Sequence, residues 1–413
     1  MRTEPLVVRT SLLPASAADD LIALLPEDSP FSWVRRGEGL VGWGRAAAVT
    51  TSGPTRFADA SKWWSELVAR TEVDDPVGEP GSGLVAFGSF GFADAPGDSV
   101  LVVPSVVVGR RGDLAWITTT GTRDSTLGNS GLDAREPGAR RPGGVTFADG
   151  AVDGERWMSV VAEAVDRING GELEKVVLAR ELVATATEPV DVRWPLARLA
   201  EAYPMCWTFH VDGLFGATPE LLVRRERGLV TSRVLAGTIR RTADEARDAA
   251  LAGALARSSK DLEEHEYAVR SVADALEPHC SSMNVPEAPY VLHLPNVMHL
   301  ATDVTGVVRD GVTSLELAAA LHPSAAVGGT PRETALAVIE EIEGMDRGRY
   351  AAPVGWLDAS GDGEWGLALR SGRIDGSTVH LYAGCGVVGS SDPAAELAES
   401  QAKLVPVRDA LEG

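Results

Sequence analysis

Hydrophobic and polar positions alternate differently in the two parts of the chain. Residues 1–120 hold short β-rich runs, "PLVVRTSLL", "GLVGWG", "SGLVAFGSFGF" and "SVLVVPSVVVG", cut by Gly, Pro and Asp. One amphipathic stretch around 57–71, "FADASKWWSELVARTEV", predicts a helix among them. Residues 121–149 are polar and rich in Gly, Arg and Pro, and read as a long loop. From 150 onward helices and strands interleave. Helices are expected near 153–169, 191–202, 243–256, 260–277, 313–321 and 331–343, with strands between them. The last strands, "APVGWLD", "GEWGLALRSGRI" and "TVHLYAGCGVV", precede a C-terminal helix opened by "SSDP", with Asp392 as N-cap and Pro393 in the first turn. Short turns between strands imply antiparallel pairing and an α+β order, with no internal repeat.

Two of these helices place acids beside their apolar stripes. In "ELAESQAKL" (396–404), Glu396, Glu399 and Lys403 fall within roughly 60° of one another around the helix, next to the stripe of Leu397, Leu404 and Leu411. In "KDLEEHEYAVRSVADALE" (260–277), Glu263, Glu264 and Glu266 cluster in the first two turns, and Val269, Val272, Ala273 and Leu276 face a core. Acids at a helix start complement its dipole and are often simply solvated, and Lys403 is an i+4 partner for Glu399. Alternatively, carboxylates from two helices hold a hard cation, which binds one or two protein carboxylates and completes its shell with water and substrate oxygens.

Charge and cysteine content narrow the classes. With 38 Lys and Arg against 59 Asp and Glu, the formal charge is −21, which disfavours nucleic acid and anionic membranes as partners. The three cysteines are far apart and form no CxxC, so neither a disulfide framework nor a zinc site is expected. His293, His299 and the His279–Cys280 pair show no metal-ligand spacing. No apolar run reaches the roughly 20 residues that span a bilayer. The start of the chain resembles neither a signal peptide nor a lipid anchor, so a cytoplasmic protein is expected. GxGxxG after a strand and GxxxxGK[ST] are both missing, so the usual nucleotide cradles are not expected.

Nine segments in order resemble one family. They are "EKVVLAR" (174–180), "GATPELLVRR" (216–225), "LAGTIRR" (235–241), "SSKDLEEHEYAV" (258–269), "LHPSAAVGGTPRE" (321–333), "GRYAAPVGWLD" (348–358), "LALRSGRI" (367–374), "LYAGCGVV" (381–388) and "ELAESQAKL". Together they are similar to the chorismate-utilising enzymes: isochorismate, anthranilate, aminodeoxychorismate and salicylate synthases. The resemblance covers about 150–413. It implies one large α+β unit over 1–413, two packed antiparallel sheets with helices outside and a cleft between. The β-rich residues 1–120 then complete the unit, 121–149 are an excursion, and 150–413 form the catalytic half.

The resemblance also implies roles. Glu264 and Glu399, with Glu396 close by, would hold Mg²⁺ and through it the ring carboxylate of chorismate. Tyr350 and Arg370 would hold the enolpyruvyl carboxylate, a task suited to the bidentate guanidinium. Backbone groups around Gly384 and Gly386 would assist, since Gly permits close approach. His322, Ala326, Gly237, Thr238 and Lys403 are placed with the substrate-binding set. Cys385 stands where relatives often have Ala.

Members of the family differ in the nucleophile that attacks C2 as the 4-hydroxyl leaves. Water needs a base, and Lys175 matches it, whereas anthranilate synthases usually carry Gln there. Glu220 matches the acid that protonates the departing hydroxyl. The "PIKGT" lysine of aminodeoxychorismate synthases is replaced by Ala236 in "LAGT". No glutamine amidotransferase segment is visible, and no obligate protein partner is expected. Isochorismate synthase, feeding menaquinone or siderophore synthesis, is the favoured member. Salicylate synthase, or an amidotransferase-coupled component I, is the alternative.

Overall fold

Two long antiparallel pairings organise the chain. Lys175–Thr185 runs against Thr378–Val387 from Val176↔Val387 to Thr185↔Thr378. Leu229–Arg240 runs against Val297–Val308, with a register shift between Ala236 and Thr238. The computed structural model describes residues 5–123, 138–242, 244–293 and 297–412; the side chains of residues 238, 260 and 264 also lie outside the described set.

Around these pairings grow a 13-stranded and a 10-stranded sheet. Among the described residues, every pairing is antiparallel except that of Leu6–Leu13 with Glu72–Asp74. Early and late strands mix in both sheets. Pro30–Arg35 pairs with Trp207–Val211 in the first. Val85–Ser89 pairs with Pro353–Asp358 in the second. The inner faces share one apolar cluster, with Phe31, Trp33 and Phe209 from the first sheet against Phe87, Leu221 and Val354 from the second. Phe31 and Phe87 stack at 5.6 Å. The α+β class, two packed sheets with helices outside, follows from the alternation in these strands.

The helices lie close to where periodicity puts them: Arg56–Val68, Gly154–Asn169, Arg193–Ala202, Glu245–Leu255, Ser259–Leu276, Ser314–Leu321 and Arg332–Ile342. Their starts are capped locally. Asp153 accepts from Arg156 N, Ser258 from Asp261 N, and Thr313 forms a capping box with Glu316. The excursion at 121–149 needs correction at both ends, since the strand Leu114–Thr122 runs into its start. Thr146–Asp149 is a strand that pairs with Leu182–Thr185. Residues 124–137 of that segment lie outside the described residues.

The C-terminal helix Pro393–Glu412 starts where Asp392 Oδ2 accepts from Ala395 N at 2.8 Å. Its Leu404, Val407, Ala410 and Leu411 are buried with Leu196 and Leu199 over Leu381 and Ala383 of the first sheet. Burying a leucine stabilises by about 1.5–3 kcal/mol. That packing fixes the helix rotation and turns Glu396 and Glu399 toward the cleft.

Candidate active site

Side chains at alternate positions of Lys175–Thr185 point to one face, so Lys175, Val177 and Ala179 all line a cavity of about 900 Å³. Directly across the pairing, Gly386 faces Val177 and Gly384 faces Ala179. These two glycines are needed for space. A Cβ at Gly386 would stand 3.0 Å from Lys175 Cε. A Cβ at Gly384 would stand 3.0 Å from Leu178 O and 3.2 Å from Tyr350 Oη. The lysine stem and the phenol therefore lie over bare backbone.

Glu220 sits between the strands Leu214–Thr218 and Leu221–Glu226, where its N–H donates to Thr218 Oγ1 at 3.2 Å. Glu220 lines the cavity. Burial raises its pKa from 4.5 to about 7, against the opposing pull of Lys175, Lys403 and Arg370. A carboxyl raised this far is suited to holding a proton that it can deliver near neutral pH.

Tyr350 is buried and stacks on Tyr382 at 5.2 Å and 23°. Burial holds its phenol above the ordinary range, so it stays a proton donor. Arg370 adopts φ 49° and Ala351 adopts φ 60°, the left-handed region that non-glycine residues rarely enter. Each costs about 1–3 kcal/mol. The fold fixes both: Ala217 N donates to Arg370 O at 3.1 Å, and Ala351 N to Ala368 O at 3.1 Å. Both residues line the cavity.

On the C-terminal helix, Lys403 Nζ lies 2.8 Å from Glu399 Oε1 and donates to Gly384 O at 2.9 Å. Burial acts to raise the Glu399 carboxyl, but Lys403, with Arg240 and Arg370, brings it below its ordinary value. Glu396 is shifted the other way. Burial raises it, Ser391 opposes this with a hydrogen bond, and the charge of Glu399 adds to the rise. Among the described residues, ligand atoms of Glu396, Glu399 and Cys385 lie within 4.8 Å of one another. Burial pushes the Cys385 thiol up to about 12, and it donates to Glu396 O at 3.4 Å. It stays a thiol, a poor ligand for a hard cation, whereas the two carboxylates facing the cavity suit one.

The structure brings Lys175, Glu220, Gly237, Ala326, Tyr350, Arg370, Gly384, Gly386, Glu396, Glu399 and Lys403 to this single cavity. Glu264 lies on the helix Ser259–Leu276, but its side chain and that of Thr238 fall outside the described residues. His322 is a correction. It lies outside the cavity lining, buried beneath Phe92, with Nε2 3.0 Å from Phe92 O and its pKa lowered to about 3 by burial. It precedes the wall residues Ala326 and Val327 but turns into the core.

Three further lining residues were not singled out from the sequence. His299 faces the cavity, its pKa lowered to about 4 by burial and by Arg370 and Lys403. Its place on the strand Val297–Val308, opposite Thr238, was the only available signal. Asp261 lines the wall one turn before Glu264. Arg347 also lines the cavity, and its guanidinium sits 4.2 Å over the Phe92 ring.

Comparison with known proteins places the chain in a family. The family model described as "Chorismate binding enzyme" matches residues 24–412. The chain is 36% identical over 408 residues to the salicylate biosynthesis isochorismate synthase of Pseudomonas aeruginosa, covering 92% of this chain and 84% of that one. It is 38% identical over 266 residues to the isochorismate synthase MenF of Bacillus subtilis, a match that spans 63% of this chain and only 56% of that protein. Among solved structures, the menaquinone-specific isochorismate synthase MenF from Escherichia coli superposes with a TM-score of 0.81 at 26% identity, over 99% of this chain and 95% of that one. The chain belongs to the chorismate-binding enzyme family, as an isochorismate synthase-like, chorismate-utilising member.

Proposed function

We propose that the protein is an isochorismate synthase, an isomerase that converts chorismate reversibly to isochorismate. The observation that carries this reading is the pairing in one cavity of Lys175 with Glu220, a carboxyl held near pKa 7 on which Lys175 exerts the largest opposing charge effect. Lys175 takes a proton from the water that bonds to C2. The ring double bonds shift, the C4–O bond breaks, and Glu220 delivers its proton to the departing hydroxyl. In reverse the two groups exchange parts, and between turnovers in one direction Lys175 returns its proton to solvent while Glu220 takes one up.

Tyr350 and Arg370 would orient the substrate through its side-chain carboxylate, with the small floor of Gly384 and Gly386 letting the ring approach. Glu396, Glu399 and, from the helix Ser259–Leu276, Glu264 would hold Mg²⁺. Such a cation, when bound, neutralises the ring carboxylate against an otherwise acidic wall. The closeness of the Glu396 and Glu399 carboxylates, both lining the cavity, supports this assignment. No described helix is long and apolar enough to cross a membrane. A stand-alone cytoplasmic enzyme acting on a small dianion fits that surface. The relatives include a menaquinone-specific enzyme and one of salicylate biosynthesis. The product is proposed to enter a menaquinone or siderophore route.

The test is to incubate the purified protein with chorismate and Mg²⁺ in the absence of ammonia and separate the products. A chorismate–isochorismate mixture, abolished by a chelator, is expected. Salicylate with pyruvate would instead assign a salicylate synthase. Unchanged chorismate, converted only on adding ammonia or a glutaminase, would assign an amidotransferase-coupled synthase.

A further inference from the structure

The strand that carries Lys175 is paired on one side along its length, but its other edge is covered piecemeal. At the start, Gly329–Thr330 pairs with Lys175 and Val176, and Val177 N donates to Gly328 O at 2.8 Å. At the far end, Thr146–Asp149 pairs with Leu182–Thr185. Between them, two side chains take the place of a strand. Arg347 Nη2 donates to Val177 O at 2.6 Å, and Glu343 Oε2 accepts from Ala179 N at 2.7 Å. Glu343 and Arg347 are joined at 2.7 Å through Nε, and both are buried. The other guanidinium nitrogen, Nη1, donates to Val327 O at 2.8 Å. One fork thus ties the Lys175 strand to the separate wall that carries Ala326 and Val327.

We infer that the Glu343–Arg347 pair is a positioning device for the reaction, a side-chain surrogate for the missing strand that fixes where the Lys175 amine stands against the opposite wall. Val177 and Ala179, whose backbone the pair holds, are two and four residues beyond Lys175 on the same face. Any shift of their register therefore moves the amine across the cavity. Neither residue touches the reacting atoms in this assignment, which rests on the reading of Lys175 as the base.

The inference is tested with Arg347→Lys and Glu343→Gln. Lysine keeps the charge but cannot reach Val177 O and Val327 O together. Glutamine keeps an acceptor for Ala179 N but loses the charge that orients the fork. Assayed well below their melting midpoints, both should lower kcat with KM within about twofold of wild type. The loss should be about 10–100-fold for Arg347→Lys, the scale of a sub-ångström to ångström misplacement, and smaller for Glu343→Gln. The Glu220 limb of the pH profile should move in both, because displacing the Lys175 amine changes the charge acting on that carboxyl. Folded variants with kcat within twofold of wild type and an unmoved profile would overturn the inference. Failure of both to fold would also overturn it, assigning the pair to global stability alone. Lys175→Ala run in parallel separates the causes. If turnover survives that change, the base reading itself is wrong. If turnover needs Lys175 but ignores Arg347→Lys, only the positioning role is wrong.

Discussion

Gly386→Ala is the sharpest perturbation available, because it acts on Lys175 without replacing it. The added Cβ would sit 3.0 Å from Lys175 Cε and 3.6 Å from Nζ. Carbon atoms prefer about 3.5–4.0 Å, so the lysine must retreat by roughly 0.5–1 Å. Gly386 is not among the residues with positive φ, so alanine meets no backbone penalty there. The obstacle is the far end of a flexible side chain, which can yield. Removing a glycine from the unfolded ensemble gains about 0.4–1 kcal/mol, which offsets much of the crowding. The melting midpoint should therefore move by less than about 4 °C. Catalysis should fare differently, since an ångström of misplacement costs on the order of 100-fold. We expect kcat to fall about 10–100-fold, read by following chorismate consumption under saturating substrate and Mg²⁺. A variant of unchanged stability and unchanged kcat would refute the placement of the reacting amine over Gly386.

Other outcomes follow from the same geometry. Glu220→Gln should lower kcat by about 10²–10⁴-fold with the fold intact, as expected for loss of a general acid. Because Glu220 must carry its proton in the forward direction, kcat/KM for chorismate should fall as pH rises through about 7, the value set by its burial. Lys403→Met removes a positive charge that lowers Glu220, so this limb should move to higher pH; an unmoved limb would detach it from Glu220. The native state also holds this proton more tightly than the unfolded chain, so the contribution of Glu220 to stability is present below pH 4.5 and declines as pH rises toward 7. Glu399→Gln should raise the Mg²⁺ concentration for half-maximal activity by more than the roughly 10–100-fold that loss of an outer-shell partner costs. Calorimetric titration with Mg²⁺ gives a readout independent of turnover.

Much of this site is legible in local sequence because its parts lie on regular elements. Alternation along Lys175–Thr185 puts Lys175, Val177 and Ala179 on one face, and helical spacing gathers Glu396, Glu399 and Lys403. What local pattern cannot supply is direction at irregular points and convergence across the fold. His322 begins a wall segment yet points under Phe92, because its ring finds a backbone acceptor there. His299 reads as an ordinary strand histidine until the two sheets bring it opposite Arg370 and Lys403. Glu343 and Arg347, four residues apart just past a helix end, resemble a routine surface pair. Only the missing neighbour of the Lys175 strand shows what they hold. Thr146–Asp149 was hidden for a similar reason, since a four-residue edge strand in a Gly-rich stretch has too little alternation to stand out.

The central claim, that Lys175 activates water against C2 while Glu220 releases the 4-hydroxyl, is tested most directly by running the reaction briefly in ¹⁸O-water. The account predicts isochorismate carrying one solvent oxygen at its ring hydroxyl before label appears in chorismate, with the incorporation lost in Lys175→Ala. Isochorismate that keeps the original oxygen, or label that still enters without Lys175, would contradict it.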